Sequence, residues 1–246
     1  MSIASEITRL QNAKADIKTA IEAKGVTVPS SAKIDTYNTY VASIPAGGSS
    51  KLPEVVDGSV TSLSASDLGS ITSISDYAFY NQTNLSSVTL PNTLTTIGKS
   101  SFYGCTSLTS ITIPSSVTSV GVGAGSSNDG LFSNSGLTSI TIPNSVTSMG
   151  ARAFYNCTSL TSVIMSNSNV TSLETYVFGS CANLVSLSLP ATLTSIKSDA
   201  FRNTNSLTAI DFAGTMAQWN AITKQSNWNR GWSVTVIHCS DGDITL

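Results

Sequence analysis

From residue 52 onward the apolar positions of this 246-residue chain fall into columns. Aligning on one phenylalanine gives Phe79, Phe102, Phe132, Phe154, Phe178 and Phe201, at spacings of 23, 30, 22, 24 and 23. Leu85, Leu108, Leu137, Leu160, Leu184 and Leu207 keep step with them. Three residues further on stand Val88, Ile111, Ile140, Val163, Leu187 and Ile210, and two beyond those Leu90, Ile113, Ile142, Met165, Leu189 and Phe212. The last two columns alternate with polar residues, which is the period of a β-strand with one face buried. Pro91, Pro114, Pro143 and Pro190 follow, where a residue without an N–H closes a strand. Each unit is too short to bury its apolar side alone, so the units must stack into a continuous core. The pattern predicts a repeat solenoid, mainly β with short helical or turn segments, of about six units over residues 52–212. Residues 213–246 are then a C-terminal cap, with Trp219, Trp228 and Trp232 covering the open end.

The first 44 residues carry a different period. Ile3, Ile7, Leu10, Lys14, Ile17, Ile21 and Lys24 are separated by 4, 3, 4, 3, 4 and 3, the seam of an amphipathic or coiled-coil helix. Gly25 ends it, and Ile34, Tyr37, Val41 and Ile44 repeat the spacing in a shorter helix. Residues 1–44 therefore read as a small α-helical segment, and residues 45–51 as a Gly/Ser linker. Ile3, Ile7, Leu10, Ile17 and Ile21 are its candidate anchoring or oligomerisation positions, and Lys14 in the seam disfavours a stable self-assembled coil.

Composition explains what coats the solenoid. The chain has 44 Ser and 31 Thr, while only 11% of residues are charged, against roughly 25% in ordinary domains. Hydroxyls suit outward positions on stacked strands, because like charges repeated about every 4.8 Å would repel. The net charge of −2 offers no basic field for a phosphate backbone or an anionic bilayer, and no apolar run approaches the length of a membrane span. Nucleic acid and membrane insertion are accordingly not expected. Met1-Ser2-Ile3-Ala4-Ser5-Glu6 lacks a basic n-region, so standard export is not predicted and the four cysteines are read as reduced.

The segment Gly98-Lys99-Ser100-Ser101-Phe102-Tyr103-Gly104-Cys105-Thr106-Ser107-Leu108-Thr109-Ser110-Ile111-Thr112-Ile113-Pro114-Ser115-Ser116-Val117 resembles the BspA-type leucine-rich repeat, and the likeness covers about residues 60–220. Phe212–Trp219 and Ile237–Ile244 are similar to the segment that closes such arrays. Ile7–Lys18 and Lys24–Pro29 resemble N-terminal modules of tail and other virion proteins from phages of gut bacteria. Together the resemblances imply a non-enzymatic binding or adhesion module on a phage tail or fibre. It would recognise a host-surface glycan or protein and reach other virion proteins through its N-terminus, with a homo-oligomer possible. A bacterial BspA-like surface adhesin and a structural virion decoration without ligand are the alternatives.

Candidate chemistry is sparse. Cys105, Cys157 and Cys181 share one column with Gln82, Ser135 and Thr204, which is the signature of a small buried position. His238 is the sole histidine, and Cys239, Asp241 and Asp243 beside it read as a turn between C-terminal strands rather than a metal site. No G-x-S-x-G elbow is present, and the stretch Gly121–Gly130 lacks the Lys-Ser/Thr of a phosphate loop. No cofactor, metal or catalytic residue is expected. The ligand-binding candidates are Tyr80, Tyr103 and Tyr155, each following a repeat phenylalanine, and Val122, Ser126, Asn128 and Asp129 in the segment that lengthens the third unit. A surface so poor in charge predicts recognition with little salt dependence.

Overall fold

The computed structural model describes residues 61–121 and 130–246. The helical anchor expected at 1–44, the linker at 45–51 and the candidates Val122, Ser126, Asn128 and Asp129 lie outside the described residues.

The described chain coils into a stack of short strands in two rows. The first row holds β1 (Ser62–Leu63), β3 (Ser87–Val88), β6 (Ser139–Thr141), β8 (Ser162–Ile164), β10 (Ser186–Leu189), β12 (Ala209–Phe212) and β14 (Val236–Cys239). The second holds β2 (Ser73–Ile74), β4 (Thr96–Ile97), β5 (Ser119–Val120), β7 (Ser148–Met149), β9 (Ser172–Leu173), β11 (Ser195–Ile196) and β13 (Thr223–Lys224). Pairing within each row is parallel and joins equivalent residues of successive turns, such as Leu187 with Val163 and Ile97 with Val120. Only β15 (Gly242–Thr245) runs antiparallel, folding back on β14 as a hairpin that ends the first row. Among the described residues, the short helices α1 (Ala65–Leu68) and α2 (Met216–Ala221) start at capping boxes formed by Ser64 with Asp67 and Thr215 with Gln218.

The predicted columns are the core. All six phenylalanines and all six leucines of the repeat are 3% exposed or less. Successive Phe rings lie nearly parallel, with centroids 5.1, 5.6, 5.6, 5.6 and 5.8 Å apart. The long third unit leaves no mark on this ladder, since Phe102 to Phe132 is one of the 5.6 Å steps. The prolines open turns: the carbonyls of Pro91, Pro114, Pro143 and Pro190 each accept an N–H from the apolar residue three positions later.

The threonines do more than coat the surface. Thr95 donates its hydroxyl to the carbonyl of Thr72 at 2.9 Å, Thr161 to that of Thr138 at 3.0 Å, and Thr194 to that of Thr171 at 3.1 Å. Each bond ties a turn to the preceding one at a matching position, so the hydroxyl-rich composition also cross-links the stack.

The coil runs further than six phenylalanine units indicate: seven strands fill the second row, giving about seven turns. The seventh turn is built without the repeat phenylalanine. Phe178 N–H donates to the carbonyl of Ala200, the residue before the next phenylalanine, and Phe201 N–H donates in the same way to Trp228. That register puts Asn229 in the phenylalanine column and Trp228 and Trp232 in the two small-residue columns beside it. Both indoles cover Phe201, at 6.1 and 5.8 Å between ring centroids. Lys224 takes the core column of the second row, where its ammonium donates to the carbonyls of Trp219 at 2.7 Å and Ile222 at 3.2 Å. Burial pushes its pKa below the ordinary lysine value.

Candidate functional site

Backbone geometry sets apart the edge that carries the repeat phenylalanines. All eleven non-glycine residues with positive φ among the described residues lie two positions before or two positions after that column. Five are asparagines, which tolerate the left-handed region. Tyr77, Arg152 and Tyr176 are bulkier, and holding them there stores local strain. The chain bends twice around each phenylalanine, and the residues two before and one after it form a single edge while the phenylalanine and the residue before it are buried.

The side chains on this edge differ from turn to turn while the core beneath is constant. The column two before the phenylalanine reads Tyr77, Ser100, Gly130, Arg152, Tyr176, Asp199, Asn227, and the column one after it reads Tyr80, Tyr103, Ser133, Tyr155, Gly179, Arg202, Arg230. Tyr80, Tyr103 and Tyr155 all lie here, half-buried, but they do not form one continuous stripe. Tyr80 and Tyr103 stack at 4.6 Å, with Tyr77 edge-on to Tyr80 at 5.7 Å and the Lys99 ammonium 5.4 Å from the Tyr77 ring. In the next turn Ser133 is buried, donating its hydroxyl to the Arg152 carbonyl at 2.8 Å, and the aromatic row stops.

Tyr155 belongs to a second cluster. It meets Tyr176 edge-on at 6.0 Å, the Arg152 guanidinium lies 4.8 Å over the Tyr176 ring, and Arg202 donates to the Tyr176 hydroxyl at 3.0 Å. With Ser180 and Asn203 these residues line a cavity of about 240 Å³. Gly179 lets the two rings sit close over the backbone: a Cβ there would lie 3.0 and 3.1 Å from the Tyr176 and Tyr155 rings. Tyr77, Tyr176, Arg152 and Arg202 were not singled out by their sequence context. Their columns, two before and one after the phenylalanine, are legible in the sequence, but their meeting across turns is not.

A second concavity lies on the first strand row. No strand pairing joins residues 111–113 to β6 among the described residues, although the neighbouring row is paired straight through from β4 to β7. At this break a groove of about 370 Å³ is lined by Ser110, Thr112, Ser139, Thr141 and Ser162, with the exposed Ile164 at its rim.

The thiols have no exposed chemistry in the core. Cys105, Cys157 and Cys181 are fully buried and donate to the carbonyls of Phe79, Phe132 and Phe154 at 3.1, 2.9 and 2.9 Å. Desolvation pushes the Cys105 thiol up to about 12 and Cys157 up to about 11, and raises Cys181 well above the ordinary value. His238 lies on β14 with Nδ1 2.9 Å from Asp243 Oδ1, and the Ser240-Asp241 turn links the two C-terminal strands as the sequence suggests. Among the described residues no three His, Cys, Asp or Glu side chains converge as a metal site would require, and no helix is long and apolar enough to cross a membrane.

Stacked parallel turns, an apolar ladder inside and a variable edge outside define a leucine-rich-repeat solenoid. Family comparison is specific: the BspA-type leucine-rich repeat region matches residues 58–129 and 124–226 in six copies, and the chain belongs to that family. A leucine-rich repeat protein from Bacteroides ovatus is 27% identical over 72% of this chain and 42% of its own, with a TM-score of 0.61. One from Eubacterium ventriosum is 30% identical over 72% of this chain and 44% of its own, with a TM-score of 0.58. The chain thus spans less than half the length of these two proteins. No curated protein sequence matches it.

Proposed function

We propose that this protein is a non-enzymatic binding module that attaches to a surface ligand, in the manner of a BspA-like adhesin presented at a cell surface. The observation that carries this reading is the contrast within each turn. The phenylalanine and leucine columns barely vary, whereas the two edge columns change among Tyr, Arg, Ser, Gly, Asp and Asn. A scaffold that repeats its interior and varies one rim presents a graded array of contacts, which is how solenoids build binding surfaces. Titrating labelled protein onto bacterial cells, epithelial cells and immobilised matrix proteins tests the proposal. Saturable binding to one of them, weakened by Tyr103→Ser with Tyr155→Ser in a folded protein, is expected. Saturation on none of them would overturn it.

The phage-tail reading rests on the resemblance of residues 7–29 alone, which lie outside the described structure. It predicts that protein lacking residues 1–44 stays folded but no longer enters a particle. Residues 122–129 lengthen the third unit, and replacing them with a short turn tests that segment as a specificity element: cell binding should fall at least about tenfold, with little change in melting temperature.

A further inference from the structure

Both arginines that the sequence places between residues 52 and 212, Arg152 and Arg202, come to the same tyrosine. They originate in the fourth and sixth phenylalanine units, and Tyr176 stands between them in the fifth. The Arg152 guanidinium covers the Tyr176 ring at 4.8 Å, and Arg202 lies 5.8 Å from that ring while donating Nη1–H to the phenol oxygen at 3.0 Å. Neither arginine is paired with a carboxylate among the described residues. Two carboxylates are near in sequence, but neither meets Arg152 or Arg202: Glu174 accepts from the Ser172 hydroxyl at 2.7 Å, and Asp199 lies 3.9 Å from Arg230 with its Oδ1 buried and without a hydrogen-bond partner among the described residues. Neither lines the cavity.

Two cations are thus concentrated in a chain whose surface is otherwise mostly neutral hydroxyl, and the structure holds them in place. Arg152 lies over the Tyr176 ring with no hydrogen bond from its guanidinium among the described residues, and Arg202 spends one of five N–H donors on the phenol. Arg152 and Tyr176 both occupy the left-handed region, at φ 56° and 57°, so the bends that display them are strained for side chains of their size. Tyr155, Ser180 and Asn203 complete the lining of a cavity of about 240 Å³ that opens to solvent and has room for a sugar ring. Planar forks match a planar carboxylate, and amide and hydroxyl groups pair with the hydroxyls of a sugar.

We infer that the pocket formed by Arg152, Tyr155, Tyr176, Ser180, Arg202 and Asn203 binds a carboxylate-bearing sugar of a surface polysaccharide, of the uronic acid class. The inference rests on the adhesin reading above and names the ligand chemistry at one part of the same edge. It also revises the expectation of salt-independent recognition, because an arginine–carboxylate contact at a half-exposed site is screened by salt.

The test is calorimetric titration of the full chain with a trimer of galacturonic acid, with the methyl ester of that trimer, with sodium acetate and with a sulfated trisaccharide. Binding of the free-acid trimer is expected, at least about tenfold tighter than the ester and several-fold weaker in high salt. Arg152→Gln with Arg202→Gln should lower affinity by at least about tenfold, and Arg152→Lys with Arg202→Lys should restore part of it. Asn203→Asp guards against a folding artefact. It is nearly isosteric, keeps a residue that tolerates φ of 58°, and places a negative charge beside Arg202, so it should weaken the trimer similarly. Equal binding of ester and acid, tighter binding of the sulfated sugar, acetate competing as well as the trimer, or full affinity in both the Gln pair and Asn203→Asp would each overturn the inference. Wild-type protein that binds cells but not the trimer sinks this site and leaves the adhesin reading standing. Wild-type protein that binds the trimer but no surface does the reverse.

Discussion

The interior turns and the seventh turn solve opposite problems with the same columns. In the interior a large ring sits in one column with small groups beside it: Ala153 and Cys157 flank Phe154, Val177 and Cys181 flank Phe178, and Ala200 and Thr204 flank Phe201, all fully buried. In the seventh turn the sizes are exchanged, with Asn229 in the ring column and Trp228 and Trp232 in the flanking ones. A turn that must receive another keeps aromatic rings out of its flanks, where nothing larger than Leu131 or Gln82 stands, so that the next ring can stack on it. A turn that must receive none fills the flanks and spreads two indoles over the last phenylalanine. Lys224 repeats the lesson in the second row, where an ammonium bound to two carbonyls replaces the apolar residue that another turn would need. Termination is therefore written as an inversion of the repeat, and not as its simple loss.

The largest test of this contrast is Phe154→Ala. The ring is 1% exposed and stacks on two others at 5.6 Å, so its removal opens a cavity in the middle of the ladder and should cost about 3–5 kcal/mol in urea unfolding. A loss under about 1 kcal/mol would mean that the ladder is not the stabilising element.

Reactivity of the thiols separates the same two regions. Cys105, Cys157 and Cys181 lie inside the ladder with raised pKa values, and Cys239 on β14 is partly exposed. Burial and the nearby Asp241 and Asp243 raise the Cys239 thiol too, so it should react slowly, but the other three should lag it by at least about a hundredfold. Alkylation followed by mass spectrometry of native protein gives the order. Uniform labelling of all four would show that the interior opens as readily as its end.

How far the sequence carried the reading depends on the column. Phe, Leu and the alternating strand positions were legible, because their period is fixed by how an apolar side must face inward in every turn. The cysteines were legible as buried from their neighbours in the column, Ser135 and Thr204. The seventh turn was hidden because it drops the phenylalanine used for alignment, and its membership emerges only from the hydrogen bond of Phe201 to Trp228. The Arg152–Tyr176–Arg202 cluster was hidden for a different reason: its members come from three units and two columns, and only the stacking of turns brings them together. Tyr155 was found by its place after a phenylalanine, but its partners were not.

Removing the end cover should cost less than breaking the ladder. Trp228 and Trp232 are partly exposed, so Trp228→Ala or Trp232→Ala should each lose about 1–2 kcal/mol. The effect should also be local, since a solenoid is stabilised by neighbouring turns and frays from its ends. Hydrogen exchange is expected to quicken at 209–212 and 236–239 while 139–164 stays protected. Equal acceleration along the whole array would mean that the cap and the interior form one cooperative unit.

The smallest expected effect is a pH dependence confined to the cap. His238 is the sole histidine, and its hydrogen bond to Asp243, the leading cause, raises its pKa above the ordinary 6.5. A group with a raised folded pKa contributes stability below the unfolded value, where it is charged in both states, and loses that contribution as pH rises through the folded value. The pair is exposed, so the contribution is small and weakens with salt. Comparing wild type with His238→Gln from about pH 5.5 to about pH 8.5 isolates it. Wild type should melt slightly higher at the acid end, the two should converge at the alkaline end, and the difference should shrink in high salt. The interior should contribute no slope over this range, because Cys105 and Cys157 titrate near 12 and 11. A wild-type advantage that grows toward alkaline pH would reverse the sign and remove the His238–Asp243 pair from any part in holding the terminal hairpin.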